Sequence, residues 1–224
     1  MRKFFLLSLV GMFLMLPGVL NGVFAQTDRP EFLITWEAQS YVPTEFRGKV
    51  FPSNGSPVLV SFELISPQGG LVDVSDELVY WYVNGKQVSA ERGVQGINFR
   101  AVTGDQKIKI VLPEYPGGFL EGFSEIPSVQ PEVTIATPAG NVITGPFYLR
   151  AFPYFFNVSG ISDLNFSWEV NSKKSLPDEN PDVLKIDPGQ DLPDGYVLNV
   201  NLRVQPKQGG AGVAAKLLRL TFTK

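Results

Sequence analysis

Trp81-Tyr82-Val83-Asn84-Gly85-Lys86 and Trp168-Glu169-Val170-Asn171-Ser172-Lys173 are the two stretches on which the fold is read. Val79-Tyr80-Trp81-Tyr82-Val83 is a short apolar and aromatic run, the composition of a strand. It stops at Asn84-Gly85, the preferred pair for a two-residue type I′ turn, because both central positions of that turn need positive φ. Lys86-Gln87-Val88 then returns as the partner strand. The second stretch repeats this order with Ser172 in place of the turn glycine. Upstream stand Phe51-Pro52 and Phe152-Pro153. Downstream, Gly104-Asp105-Gln106 precedes the alternating run Lys107–Leu112, and Gly189-Gln190-Asp191 precedes the alternating run Tyr196–Val204. The shared order of strand, Trp strand, tight turn, glycine turn and alternating strand predicts a duplicated unit whose loops differ in length.

Further strands are predicted at Glu31–Glu37, Val58–Ile65, Glu132–Ala136, Phe147–Phe156, Asn165–Val170 and Val213–Thr223. No long window carries a 3.6-residue period with caps, so helix content is expected to be low. The segment Pro113–Pro131, rich in proline and glycine, reads as a loop or junction between halves. It also carries Tyr115, Phe119, Leu120, Phe123 and Ile126, more apolar than a solvated linker should be. The halves are therefore expected to pack on each other, with a true linker near Ser128–Pro131 if the apolar residues complete a last strand.

This order resembles the bacterial immunoglobulin-like and PKD-like modules of secreted and cell-surface proteins. Their pattern has a Trp-x-Val-Asn/Asp-Gly strand and turn near the middle, then a glycine shortly before an alternating strand. Trp81, Val83, Asn84, Gly85 and Gly104 match it in the first half; Trp168, Val170, Asn171 and Gly195 match it in the second. The resemblance implies an all-β chain of two tandem immunoglobulin-like antiparallel β-sandwiches, residues 26–128 and 129–224, each with a core Trp. It implies no ligand, because such modules serve as spacers, adhesins and enzyme appendages alike.

The chain opens as an export leader over residues 1–25. Arg2 and Lys3 precede the apolar run Phe4–Leu16, Pro17 and Gly18 break it, and Val23-Phe24-Ala25 sets small residues at a cleavage site, so the mature chain is predicted to begin at Gln26. The alternative is an uncleaved N-terminal membrane anchor, but Phe4–Leu16 falls short of the ~20 residues that cross a bilayer as a helix. No later run is long enough, so no span is expected in the mature chain, which belongs outside the cell or on its surface. The formal net charge is −3; removing Arg2 and Lys3 from 19 basic residues leaves 17 against 22 acidic, or −5. That balance argues against a nucleic-acid partner. The chain has no Cys and no His, which rules out Ser-His-Asp and Cys-His catalysis, Cys/His zinc sites and thiol redox chemistry. It must be held by its cores alone, and no cofactor is expected.

Two constellations carry binding chemistry. Phe147, Tyr148, Phe152, Tyr154, Phe155 and Phe156 form the densest aromatic cluster, the composition of a stacking platform for sugars or of a strand covered on both faces by its own core and the preceding half. Pro153 is read as the bend where side chains change face. The segment Asp178–Asp194 is strongly acidic. Calcium takes six to eight oxygen ligands, making Asp187, Asp191 and Asp194 candidate metal ligands, but the spacing departs from a calcium loop and the prolines favour a solvated surface loop. No Asp-Thr-Gly, Asp-Ser-Gly or Ser-x-x-Lys frame occurs, so the chain is read as no enzyme. Asn54, Asn157 and Asn165 begin Asn-x-Ser sequons, meaningful only in a host that glycosylates them. The expected partner is a protein or glycan at the cell exterior.

Overall fold

The computed structural model describes residues 29–177, 179–189, 191–209 and 212–224. The leader and the predicted Gln26 terminus lie outside the described residues. In the first half, β1 (Glu31–Ala38), β2 (Pro57–Ile65), β3 (Leu71–Val72) and β6 (Gly96–Arg100) make one sheet, with β1 on one edge of β2 and β3 and β6 also paired to β2. The facing sheet runs β5-β4-β7-β8, from β4 (Leu78–Val83), β5 (Lys86–Arg92), β7 (Gln106–Leu112) and β8 (Leu120–Ile126). In the second half, β9 (Glu132–Ala136), β11 (Phe147–Tyr154) and β14 (Val183–Ile186) join as β14-β11-β9. The sheet opposite runs β10-β16-β15-β12-β13, from β10 (Pro138–Ile143), β12 (Leu164–Val170), β13 (Lys173–Ser175), β15 (Val197–Pro206) and β16 (Ala214–Phe222). Among the described residues, every strand pairing is antiparallel except β10 with β16.

Alternation makes these sheets pack. On β2, Val58, Val60, Phe62 and Leu64 are buried while Leu59 and Glu63 face water, and on β15 Leu198, Val200, Leu202 and Val204 are buried against exposed Asn199, Asn201 and Arg203. Buried side chains fall into two clusters, one between each pair of sheets. Trp81 and Trp168 are among the largest fully buried side chains, as predicted. In both halves the Trp strand sits between its hairpin partner and the alternating strand, which also pairs with the last strand. Two antiparallel sheets around a central Trp strand are the architecture of the immunoglobulin-like sandwich.

The duplication extends to individual atoms. Asn84 and Gly85 have φ of 50° and 80°, and Asn171 and Ser172 have 48° and 65°, so both turns use two left-handed residues. The Asn84 side chain accepts the Lys107 N–H at 2.8 Å, and Asn171 accepts that of Asn199 at 2.9 Å. Each indole N–H also donates to a loop carbonyl, Trp81 to Val94 at 2.9 Å and Trp168 to Pro181 at 3.1 Å. Gly104 and Gly195, with φ of 89° and 76°, each stand just before the alternating strand. Gly195 is therefore the counterpart of Gly104, whereas Gly189-Gln190-Asp191 lies farther upstream.

One conditional expectation about loops is met and another is corrected. Within Pro113–Pro131, residues Leu120–Ile126 form β8, zipped to β7 along its whole length, and only residues 127–131 connect the halves. The glycines that suggested a junction serve a hairpin turn, with Gly117 and Gly118 at φ of 104° and 107°. Within the acidic segment, Val183–Ile186 forms β14 against β11, burying Leu184 and Ile186. Flanking prolines and acids masked its alternation. Strands β3, β6 and β10 likewise carry no clear signal in the sequence, whereas β13 is the returning strand of the second Trp hairpin.

Candidate functional site

Along β11, Phe147, Leu149 and Ala151 are buried, Tyr148 and Arg150 are exposed, and Phe152 and Tyr154 are half-buried. Alternation runs unbroken through Pro153, which pairs with Val133, so the predicted change of face at Pro153 is not found. It occurs at Phe155, whose φ of 59° turns the chain and returns Phe156 to the core at 0% exposure. The six aromatics therefore do not form one platform. Phe147 and Phe156 are core, Phe155 lies where the halves meet, and Tyr148, Phe152 and Tyr154 share the outer face with Arg150. Residues two apart on a strand are separated by roughly 6.6 Å, which sets the pitch of this row.

Arg150 is fixed from two sides. Its guanidinium lies 5.5 Å from the Phe152 ring centroid, and its Nε is 3.3 Å from Oδ2 of Asp182, which is only 7% exposed. Concavities flank the row. One, of about 400 Å³, is lined by Tyr148, Glu179, Asn180, Val183 and Lys185. The other, of about 200 Å³, includes Tyr41, Glu45, Arg150, Phe152 and Asp182. Burial raises the Tyr41 phenol above its ordinary pKa, and the carboxylates of Asp182 and Glu45 push the same way while Arg150 opposes them.

The connection between β1 and β2, residues 39–56, reaches across to the second half. Tyr41 donates its N–H to the Phe156 carbonyl and accepts the Phe155 N–H, both at 2.7 Å. Phe46 meets Tyr154 and Phe155 edge-on at centroid separations of 5.9 and 5.8 Å, and Phe51 meets Phe155 at 6.1 Å. Tyr41 packs against the second core. The segment joining the halves is tied down as well, because Val129 N–H and the Ser128 hydroxyl donate to the Pro52 carbonyl at 2.9 and 3.2 Å. The halves thus meet through a paired backbone and the aromatic side chains of Tyr41, Phe46, Phe51, Tyr154 and Phe155. Sequence reasoning missed Tyr41 and Phe46; aromatic residues within a proline- and glycine-containing connection were the available signal.

The acidic residues stay apart in role. Asp187 accepts the Gly189 N–H at 3.0 Å, Asp194 accepts the Lys224 N–H at 3.1 Å, and Asp191 is exposed. Among the described residues, no group of three or more His, Cys, Asp or Glu is placed to hold a metal ion. Asn54 and Asn157 are half-buried and Asn165 is exposed on β12. Among the described residues, no helix is long and apolar enough to cross a membrane.

No family model matches the chain, and no curated protein matches it. Among solved structures it is similar to the fibronectin(III)-like modules of Clostridium thermocellum CbhA, at 12% identity and a TM-score of 0.30, covering 85% of this chain and 94% of that one. It is similar to the N-terminal Ig1-2 module of the Drosophila receptor protein tyrosine phosphatase DLAR, at 13% identity and a TM-score of 0.27, covering 88% and 100%. A third is a Bacteroides ovatus protein of a mixed-linkage glucan utilization locus, in complex with a mixed-linkage heptasaccharide, at 11% identity and a TM-score of 0.29, covering 84% of this chain and 47% of that one. The first two of these are described as fibronectin(III)-like and immunoglobulin modules.

Proposed function

We propose that the chain is an exported, non-enzymatic protein of two immunoglobulin-like modules, residues 26–128 and 129–224 after a leader of residues 1–25, that presents a binding surface at the cell exterior. The observation that carries this reading is the outer row Tyr148-Arg150-Phe152, held on a central strand beside the aromatic contact between the halves. A row fixed on a sheet by an ion pair to a buried Asp is preorganised, which lowers the entropy cost of binding. A carbohydrate is the second reading, favoured by the exposed Tyr148 ring beside a guanidinium that lies over the half-buried Phe152. Sugars offer CH groups to the rings and hydroxyls to Arg150, Asn180 and Glu179. Calorimetry of the mature protein against a panel of neutral oligosaccharides tests both readings. Any ligand bound there should lose at least tenfold in affinity on Tyr148→Ala with Phe152→Ala. Unchanged affinity in that double variant refutes the site.

A further inference from the structure

We infer that a separate cleft, built jointly by the two halves, binds the carboxylate of an acidic saccharide. It measures about 610 Å³, within the range of about 300–1,000 Å³ that small-ligand sites occupy. Gln39 and Arg100 come from the first half, and Asn157 and Ser159 from the second, on the chain just beyond the Tyr41–Phe156 bridge. Its polar groups are a guanidinium, two amides and hydroxyls, with no carboxylate among the lining residues, in a chain whose net charge is negative.

Arg100 donates from one terminal nitrogen to the Gly55 carbonyl at 3.0 Å, which fixes the side chain while leaving other N–H groups available. Among the described residues the ion pairs are Arg92–Glu114, Lys109–Glu121 and Arg150–Asp182, so Arg100 has no acidic partner there. Asn157 is held close to the same turn: a Cβ at Gly55 would lie 2.7 Å from its Nδ2. A fixed, unneutralised guanidinium beside amides suits a carboxylate, which it can grip with two hydrogen bonds. Tyr41, Val42, Pro57 and Val158 add apolar wall for the CH groups of a sugar ring. The Ser40 hydroxyl is already engaged with Ser56 at 2.8 Å, leaving Ser159 as the more available hydroxyl.

A peptide strand is disfavoured by the backbone. Both polar groups of Tyr41 are paired with the second half, and the Gln39 N–H is bonded to the Pro57 carbonyl at 3.0 Å, so that edge offers little for strand addition. A cation finds no anionic ligand.

The test is titration calorimetry of the mature two-module chain with trigalacturonate, its methyl ester, and a short peptide bearing a free C-terminal carboxylate. Trigalacturonate should bind, weaken as salt rises, and bind at least tenfold more weakly to Arg100→Gln and to Asn157→Asp, which sets a like charge in the cleft. A thermal melt confirms that each variant is folded, and the two substitutions fail independently. Neither substitution touches the outer row Tyr148-Arg150-Phe152, so the loss they cause separates this site from it. No binding of trigalacturonate at millimolar concentration, equal binding of its ester, or equal affinity in both cleft variants overturns the proposal. Preferential binding of the peptide overturns the saccharide assignment.

Discussion

Phe155 holds a left-handed backbone conformation that an aromatic residue occupies only when its surroundings impose it. Its φ is 59°, its N–H is bonded to the Tyr41 carbonyl at 2.7 Å, and its ring contacts Phe46 and Phe51 across the boundary between the halves. Left-handed geometry costs an ordinary residue roughly 1–2 kcal/mol, while glycine adopts it freely. Truncating a fully buried Phe to Ala costs about 3–5 kcal/mol, so a half-buried ring should be worth about 2 kcal/mol. Phe155→Ala loses the ring and keeps the backbone cost, giving a destabilisation of about 2 kcal/mol. Phe155→Gly loses the same ring but removes the strain, so it should be more stable than Phe155→Ala by about 1 kcal/mol. Tyr154 is the control. It lies in extended β11, where glycine should be worse than alanine by roughly 0.5–1 kcal/mol. Urea unfolding of the four variants, followed by tryptophan fluorescence and circular dichroism, supplies the numbers. If Phe155→Ala is as stable as Phe155→Gly, Phe155 does not hold the left-handed conformation and the turn that seats Phe156 in the core is misassigned.

Trp81→Ala and Trp168→Ala should each cost ~3–5 kcal/mol, because each removes a fully buried ring and orphans a carbonyl; calorimetry showing a loss below about 1 kcal/mol for either would contradict the core placement. Tyr41 is neutral in the fold with its pKa raised above 10.0, chiefly by burial. Its stabilising contribution is therefore fully present below pH 10 and disappears as pH climbs through the raised folded value. Tyr41→Phe should flatten the loss of stability above pH 10, and identical pH profiles for wild type and variant would exclude this role. Small-angle scattering of the mature protein should give a single narrow distribution of interdomain distances that broadens in Phe46→Ser with Phe51→Ser. A broad distribution in the wild type, or halves that separate and stay folded after cleavage near Val129, would show that the contact does not hold them together.

What the sequence disclosed followed from strong local chemistry. Asn84-Gly85 specifies its turn because glycine and asparagine tolerate positive φ, and the alternation of β15 admits only one buried face. Asn171-Ser172 makes the same turn with Ser172 at φ of 65°, and its asparagine accepts from the alternating strand at 2.9 Å as Asn84 does at 2.8 Å. Short strands were hidden where flanking residues carried a stronger signal. Val183–Ile186 is too brief for its alternation to outweigh four surrounding prolines, and its strand character depends on pairing with β11. The Pro113–Pro131 segment reads as either loop or connector for a related reason, since a hairpin turn and a connector use the same residue types.

The candidate site was legible as composition but not as geometry. Six aromatics within Phe147–Phe156 announced a concentration of ring surface, yet the partition of those rings depends on partners distant in sequence. Phe155 faces Phe46 and Phe51 because the connection after β1 crosses to the second half, a path that local pattern cannot specify. The same crossing removes Phe155 from any solvent-facing platform and leaves Tyr148 and Phe152 beside Arg150. The contact between the halves also brings Gln39 and Arg100 up to Asn157 and Ser159. Binding at the proposed cleft should therefore depend on the aromatic contact. Phe46→Ser with Phe51→Ser touches no residue lining that cleft, yet should weaken trigalacturonate binding in proportion to the time the halves spend apart.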